Sequence, residues 1–161
     1  MKRRTVLERT GIGLSAAATV ALAGCSGGEE ETDEPLPELQ LSGQRLESSV
    51  DELVITGADA DLREGQQHDD VHFAVTATVE NIGEQEANLG EYGYELRLLS
   101  PEDIDITPGN TWAARPDSVP PGESGTVLLQ VSFISAEGVD PEDVDRYEVT
   151  LSCGEGASYC S

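Results

Sequence analysis

Residues 71–80 alternate without a break, with Val71, Phe73, Val75, Ala77 and Val79 on one side and His72, Ala74, Thr76, Thr78 and Glu80 on the other. A strict period of two rich in β-branched residues predicts a half-buried strand, and Asn81-Ile82-Gly83 ends it with turn chemistry. The same alternation returns over 92–99, with Tyr94, Leu96 and Leu98 on one face, and over 125–134, with Val127, Leu129, Val131 and Phe133. It closes the chain at Tyr147, Val149 and Leu151. Leu53, Val54 and Ile55 predict a first strand over 51–56, followed by a polar loop at 65–70. Residues 101–109 hold a short strand at best, around Ile104 and Ile106. Residues 118–124, rich in Pro, Gly and Ser, read as the turn before the long strand. No 12-residue stretch beyond residue 25 carries a helical apolar stripe, and residues 141–145 make at most one helical turn. Five to seven strands with turn signals between them predict an all-β fold, an antiparallel β-sandwich.

Upstream of residue 50 the pattern changes character. Lys2, Arg3, Arg4 and Arg9 precede an uncharged run at 11–24, the order of charge and apolar residues found in a signal peptide. That run is 14 residues long, short of the roughly 20 needed to cross a bilayer as a helix. Arg3-Arg4-Thr5-Val6-Leu7 resembles the twin-arginine export motif, although Lys2 stands where Ser or Thr is usual and Glu8 where Lys is usual. Leu22-Ala23-Gly24-Cys25 resembles a lipobox, which implies that Cys25 takes a lipid and becomes the new N-terminus on the outer membrane face. Residues 26–49 combine Gly27-Gly28, a run of acids, Pro35 and Pro37, with no sustained apolar period. About 24 flexible residues would set the following domain roughly 25–30 Å from its anchor. The expected division is therefore a signal peptide at 1–24, a lipid-anchored acidic flexible linker at 25–49, the sandwich at 50–153 and a C-terminal tail at 154–161.

Charge narrows the setting. The whole chain carries −23, and removing residues 1–24, which hold Lys2, three arginines and Glu8, takes it to −26 with five arginines, no lysine and 31 acids. Such charge repels itself unless salt screens it, and the Debye length falls from about 10 Å at 0.1 M to about 3 Å at 1 M. Acids dispersed so evenly match the surface of an extreme halophile's protein. Nucleic acid is excluded as a partner, because no basic patch exists to displace phosphate counterions.

The chain also resembles the immunoglobulin-like domains of the CARDB and FxLYD kind found on prokaryotic surface proteins. The resemblance rests on the strand 73–83 ending in Asn-x-Gly, on Ala87, on 94–99, on the Pro-Gly-Glu-Ser turn within 119–126, and on the closing Tyr147-x-Val149-x-Leu151. With the export segment, it is similar to the twin-arginine lipoproteins of halophilic archaea. It implies an immunoglobulin-like sandwich with an adhesion or protein-interaction role and no shared catalytic residues. Two cysteines bridging the sheets are missing, and Trp112 falls in the connection before the turn, away from a central strand.

Candidate chemistry is sparse. Cys153 and Cys160, outside the cell and separated by Gly154 and Gly156, are expected to form a local disulfide. His68 and His72 lie up to about 13 Å apart at roughly 3.3 Å per residue, too far to share one ion. Blue copper needs a Cys, two His and an axial Met, and here the only Met is Met1. Asp140, Glu142, Asp143 and Asp145 supply hard oxygens for calcium, but no EF-hand spacing holds them together, so they are weak metal candidates. Gly122-Glu123-Ser124-Gly125 precedes a strand, whereas a hydrolase elbow precedes a helix. The expectation is a non-enzymatic protein without cofactors, held to the membrane through Cys25 and working with an envelope protein, with a calcium-binding module as the alternative.

Overall fold

In the computed structural model the described residues are 35–66, 70–114, 118–134 and 138–160. They belong to one unit that begins at Glu34. Nine strands follow in order: β1 (Gly43–Ser48), β2 (Leu53–Glu64), β3 (Val71–Asn81), β4 (Ala87–Asn88), β5 (Gly93–Leu99), β6 (Trp112–Ala113), β7 (Ser118–Val119), β8 (Ser124–Ser132) and β9 (Arg146–Ser152). Single 3-10 turns sit at Leu89–Glu91 and Pro141–Asp143.

The strands form a four-stranded sheet, β2-β3-β8-β6, a three-stranded sheet, β1-β9-β5, and a two-residue pairing of β4 with β7. Every pairing is antiparallel except β1 with β9. The protein is an all-β sandwich. Its core is built from the inward positions of the period-two strands: Phe73, Val75, Ala77 and Val79 of β3, Val127, Leu129 and Val131 of β8, Leu96 and Leu98 of β5, and Tyr147, Val149 and Leu151 of β9. Phe73 and Tyr147 meet edge to face across the sheets, with ring centroids 5.8 Å apart. A four-on-three arrangement of this kind matches the ABED and CFG sheets of an immunoglobulin domain. The difference is at the edge, where β1, from the start of the domain, lies beside β9 and runs parallel to it.

Three boundaries shift from those the pattern predicts. The sandwich does not begin at residue 50, because Gly43–Ser48 is β1 and Leu39, Leu41 and Leu46 pack against the core. This strand has one apolar residue in six, so its own sequence carries no alternation. The first predicted strand, 51–56, continues to Glu64 through a bulge between Ile55 and Gly57, with Ala58, Ala60 and Leu62 directed inward. Alanine makes this alternation weak to read. Ile104 and Ile106 form no strand, and the one ladder contact of the segment with β5 among the described residues is an isolated bridge between Leu99 and Asp105.

The C-terminal tail is also part of the packed unit. Ala157 is buried, and Tyr159 and Cys160 pack on the core. Cys153 and Cys160 are joined, with Cα atoms 5.5 Å apart. A Cβ on Gly154 would run into the Glu91 carbonyl oxygen, so this glycine is required by a close backbone approach.

The tail meets the rest of the sandwich at Asn81, which is fully buried. Its side-chain amide donates to the carbonyls of Gln85 (2.7 Å) and Val119 (2.9 Å), while Oδ1 accepts the Gly83 N–H at 3.0 Å. The Tyr159 hydroxyl lies 3.0 Å from the same oxygen. The Pro120-Pro121-Gly122-Glu123 turn closes beside it. Gly122 has φ +76°, the third-position geometry of a type II turn, and its N–H donates to the Asn81 carbonyl.

Candidate interaction surface

β5 is the last strand of its sheet, so one row of its backbone groups faces away from β9. Two threonines of the following connection occupy that row. The Leu96 N–H donates to Thr111 Oγ1 at 2.8 Å, and the Thr111 hydroxyl lies 3.4 Å from the Leu96 carbonyl oxygen. The Leu98 N–H donates to Thr107 Oγ1 at 2.9 Å, and the Ile106 N–H returns to the Leu98 carbonyl. Hydroxyls spaced four residues apart thus do the work of a neighbouring strand, satisfying backbone groups that would otherwise be open.

The connection is held off the sheet far enough to leave a groove of about 670 Å³, with β5 as floor and residues 105–111 as wall. Its lining is mainly polar and includes Tyr94, Arg97, Asp105 and Asn110. Arg97 Nε donates to Asp105 Oδ2 at 3.0 Å and Nη1 to Glu148 Oε2 at 3.2 Å, and Arg45 stands 3.8 Å from the other Glu148 oxygen. A row of alternating charge therefore crosses all three strands. Burial alone would raise the Asp105 pKa, but hydrogen bonds from the Thr107 hydroxyl and N–H, and then Arg97, outweigh it and hold the carboxyl low. Burial pushes Tyr94 far above its ordinary value, and its hydroxyl donates to the Leu89 carbonyl. The groove offers fixed hydrogen-bonding groups and two carboxylates, Glu95 and Asp105, of which Asp105 is held by Thr107 and Arg97. Trp112, next in sequence to Thr111, is 58% exposed on β6. The spacing of Thr107 and Thr111 was the one signal of this groove in the chain, and it has meaning only once β5 is known to be an edge.

The residues singled out from sequence are scattered. Arg3, Arg4, Cys25 and His68 lie outside the described residues. His72 Nε2 is 2.7 Å from Asp70 Oδ2, and Asp70 Oδ1 accepts the Ser132 hydroxyl at 2.7 Å. The Ser132 bond is the main cause holding the Asp70 carboxyl below its ordinary range; burial opposes it and His72 assists. In the acidic loop, Asp143 Oδ2 caps the Asp140 N–H at 2.9 Å and Asp145 Oδ2 accepts the Ser42 hydroxyl at 2.5 Å. Glu142 lines a separate shallow cavity with Pro37 and Leu62. Among the described residues no three His, Cys, Asp or Glu side chains converge on a point where an ion would sit. Ser124 is the first residue of β8, with its neighbours spent on the turn.

No protein family matches the chain, and no curated protein or solved structure matches it either. Among the described residues no helix is long and apolar enough to cross a membrane.

Proposed function

We propose that the protein is a surface lipoprotein of a halophile, exported through the twin-arginine route and held on the outer membrane face by lipid on Cys25. Its sandwich, of the CARDB and FxLYD kind, serves as a non-catalytic interaction module for an envelope protein. The observation that carries the interaction role is the groove along β5, a preformed surface of amide, hydroxyl and ion-paired groups on a rigid sheet. Two lipid chains at roughly 0.8 kcal/mol per buried CH₂ would make the anchor stable. The calcium reading is not favoured, because Asp143 and Asp145 are engaged in holding the loop together.

The test is crosslinking in cells at native molar salt followed by capture of the tagged chain, run beside an Asn110→Arg variant that fills the groove. A stoichiometric partner captured by the native chain and lost with Asn110→Arg supports the reading. Equal capture by both, or recovery of the chain alone, overturns it. Cys25→Ser tests the anchor separately: release into the medium is expected, and continued sedimentation with membranes would remove lipid from the account.

A further inference from the structure

Each sheet of the sandwich ends in two edge strands, and an open edge is a template for pairing with another chain. Three of the four are blunted. β5 is covered by the Thr107 and Thr111 hydroxyls and the Ile106 N–H. β2 is broken by the bulge at Ile55/Gly57 and carries Asp59, Asp61 and Glu64 along its length. β6 is two residues long. β1 is different: six residues, five of them exposed, no bulge, no proline, and no strand beyond it among the described residues.

The charge on β1 is also unlike that of the rest of the molecule. A chain of −26 after residue 24 here presents one Arg and one Glu, a neutral strand. Arg45 and Glu47 flank Leu46 symmetrically, point to the outer face of the sheet, and have side chains 64% and 52% exposed. We infer that β1 pairs with β1 of a second copy of this chain, antiparallel about a two-fold axis through Leu46. In that register Arg45 lies opposite Glu47 of the other copy and Glu47 opposite its Arg45, Gln44 faces Ser48, and the half-buried Leu46 meets its own mate. Shifting the register so that Arg45 faces itself would set like charges opposite each other. The product is one continuous six-stranded sheet with no bare β1 edge left. Molar salt favours it, because screening over about 3 Å removes the long-range repulsion between two acidic domains while leaving contact pairs in place. The pairing does not depend on the lipid anchor.

The experiment uses the full chain at molar salt. The unsubstituted protein is sized by light scattering, and Leu46→Cys and Ser48→Cys are oxidised, with the unsubstituted chain as the blank for Cys25. A dimer is expected, with a covalent dimer from Leu46→Cys and none from Ser48→Cys, whose sulfurs sit at opposite ends of the pairing. Arg45→Glu is expected to weaken the dimer by about tenfold, since it places carboxylates opposite each other twice. Adding Glu47→Arg to that variant restores it, and this rescue also shows that the single variant is folded. A monomer at all concentrations, equal crosslinking by both cysteine variants, or no rescue in the double variant overturns the pairing.

Discussion

Asn81 shows how much one side chain can hold. Its amide and carbonyl meet Gln85, Val119, Gly83 and Tyr159, so replacing it by Leu keeps the volume but takes the side-chain donor from the buried Val119 carbonyl and the acceptor from the Gly83 N–H. At about 1–3 kcal/mol for each orphaned group, Asn81→Leu should cost roughly 2–5 kcal/mol, read from denaturant unfolding at constant molar salt. Gly154→Ala should lower stability as well, because the new methyl meets the Glu91 backbone, which has no rotamer to escape into. Asp70 gives a pH signature. Its folded pKa is depressed, so its contribution is present above the unfolded-state pKa and is lost as pH falls through the folded value. Asp70→Asn should therefore be less stable than the native chain at neutral pH and converge with it in acid. Divergence that persists in acid would assign the Asp70 effect to packing. Asn81 was readable in the sequence as a turn residue. Its four partners were not, because they come from positions 2 to 78 residues away.

At the level of elements, the strongest strands were those legible from alternation, and the weakest was hidden. β3, β5, β8 and β9 each bury a face of large apolar residues, so period two shows. β1 buries almost nothing, and only its pairing with β9 makes it a strand. The β5 edge depends on a connection with no regular structure. Thr107→Val and Thr111→Val keep the side-chain shape and remove the hydroxyl, and each should cost about 1 kcal/mol. Together they should expose the edge and raise aggregation, measured by light scattering under conditions where the native chain stays clear. The Cys153–Cys160 link closes a short loop. Reducing it should cost roughly 2.5 kcal/mol at most in the chain-entropy model and leave the strands in place, which far-ultraviolet circular dichroism would report.

For the whole molecule the dominant quantity is charge. With 31 acids against five arginines beyond residue 24, the folded state concentrates like charges that the unfolded chain separates. Dialysis into about 10 mM salt lengthens the Debye length to roughly 30 Å, and the sandwich should lose structure there. An unchanged circular dichroism spectrum would set aside adaptation to brine. Among the described residues, Arg45, Arg97 and Arg146 lie on the outer face of the three-stranded sheet and pair with Glu148, Asp105 and Asp103, while Arg63 lies on β2 of the other sheet and pairs with Asp61. The outer face of the three-stranded sheet is the one β1 would continue across the two-fold axis.

Sequence by itself determined the fold class, because alternation of large apolar residues is a local property and two buried faces are enough to demand a sandwich. It also determined the acidity, and it carried the export and lipid signals that motivate the proposed location. Tertiary structure alone decided where the domain begins, which edges are covered, and which polar groups meet. Those are properties of pairs distant in the chain: Gly43 beside Arg146, Thr111 beside Leu96, Asn81 beside Tyr159. A hydroxyl or an amide looks the same in sequence whether it faces water or completes a sheet, and only the fold supplies the partner that gives it a role.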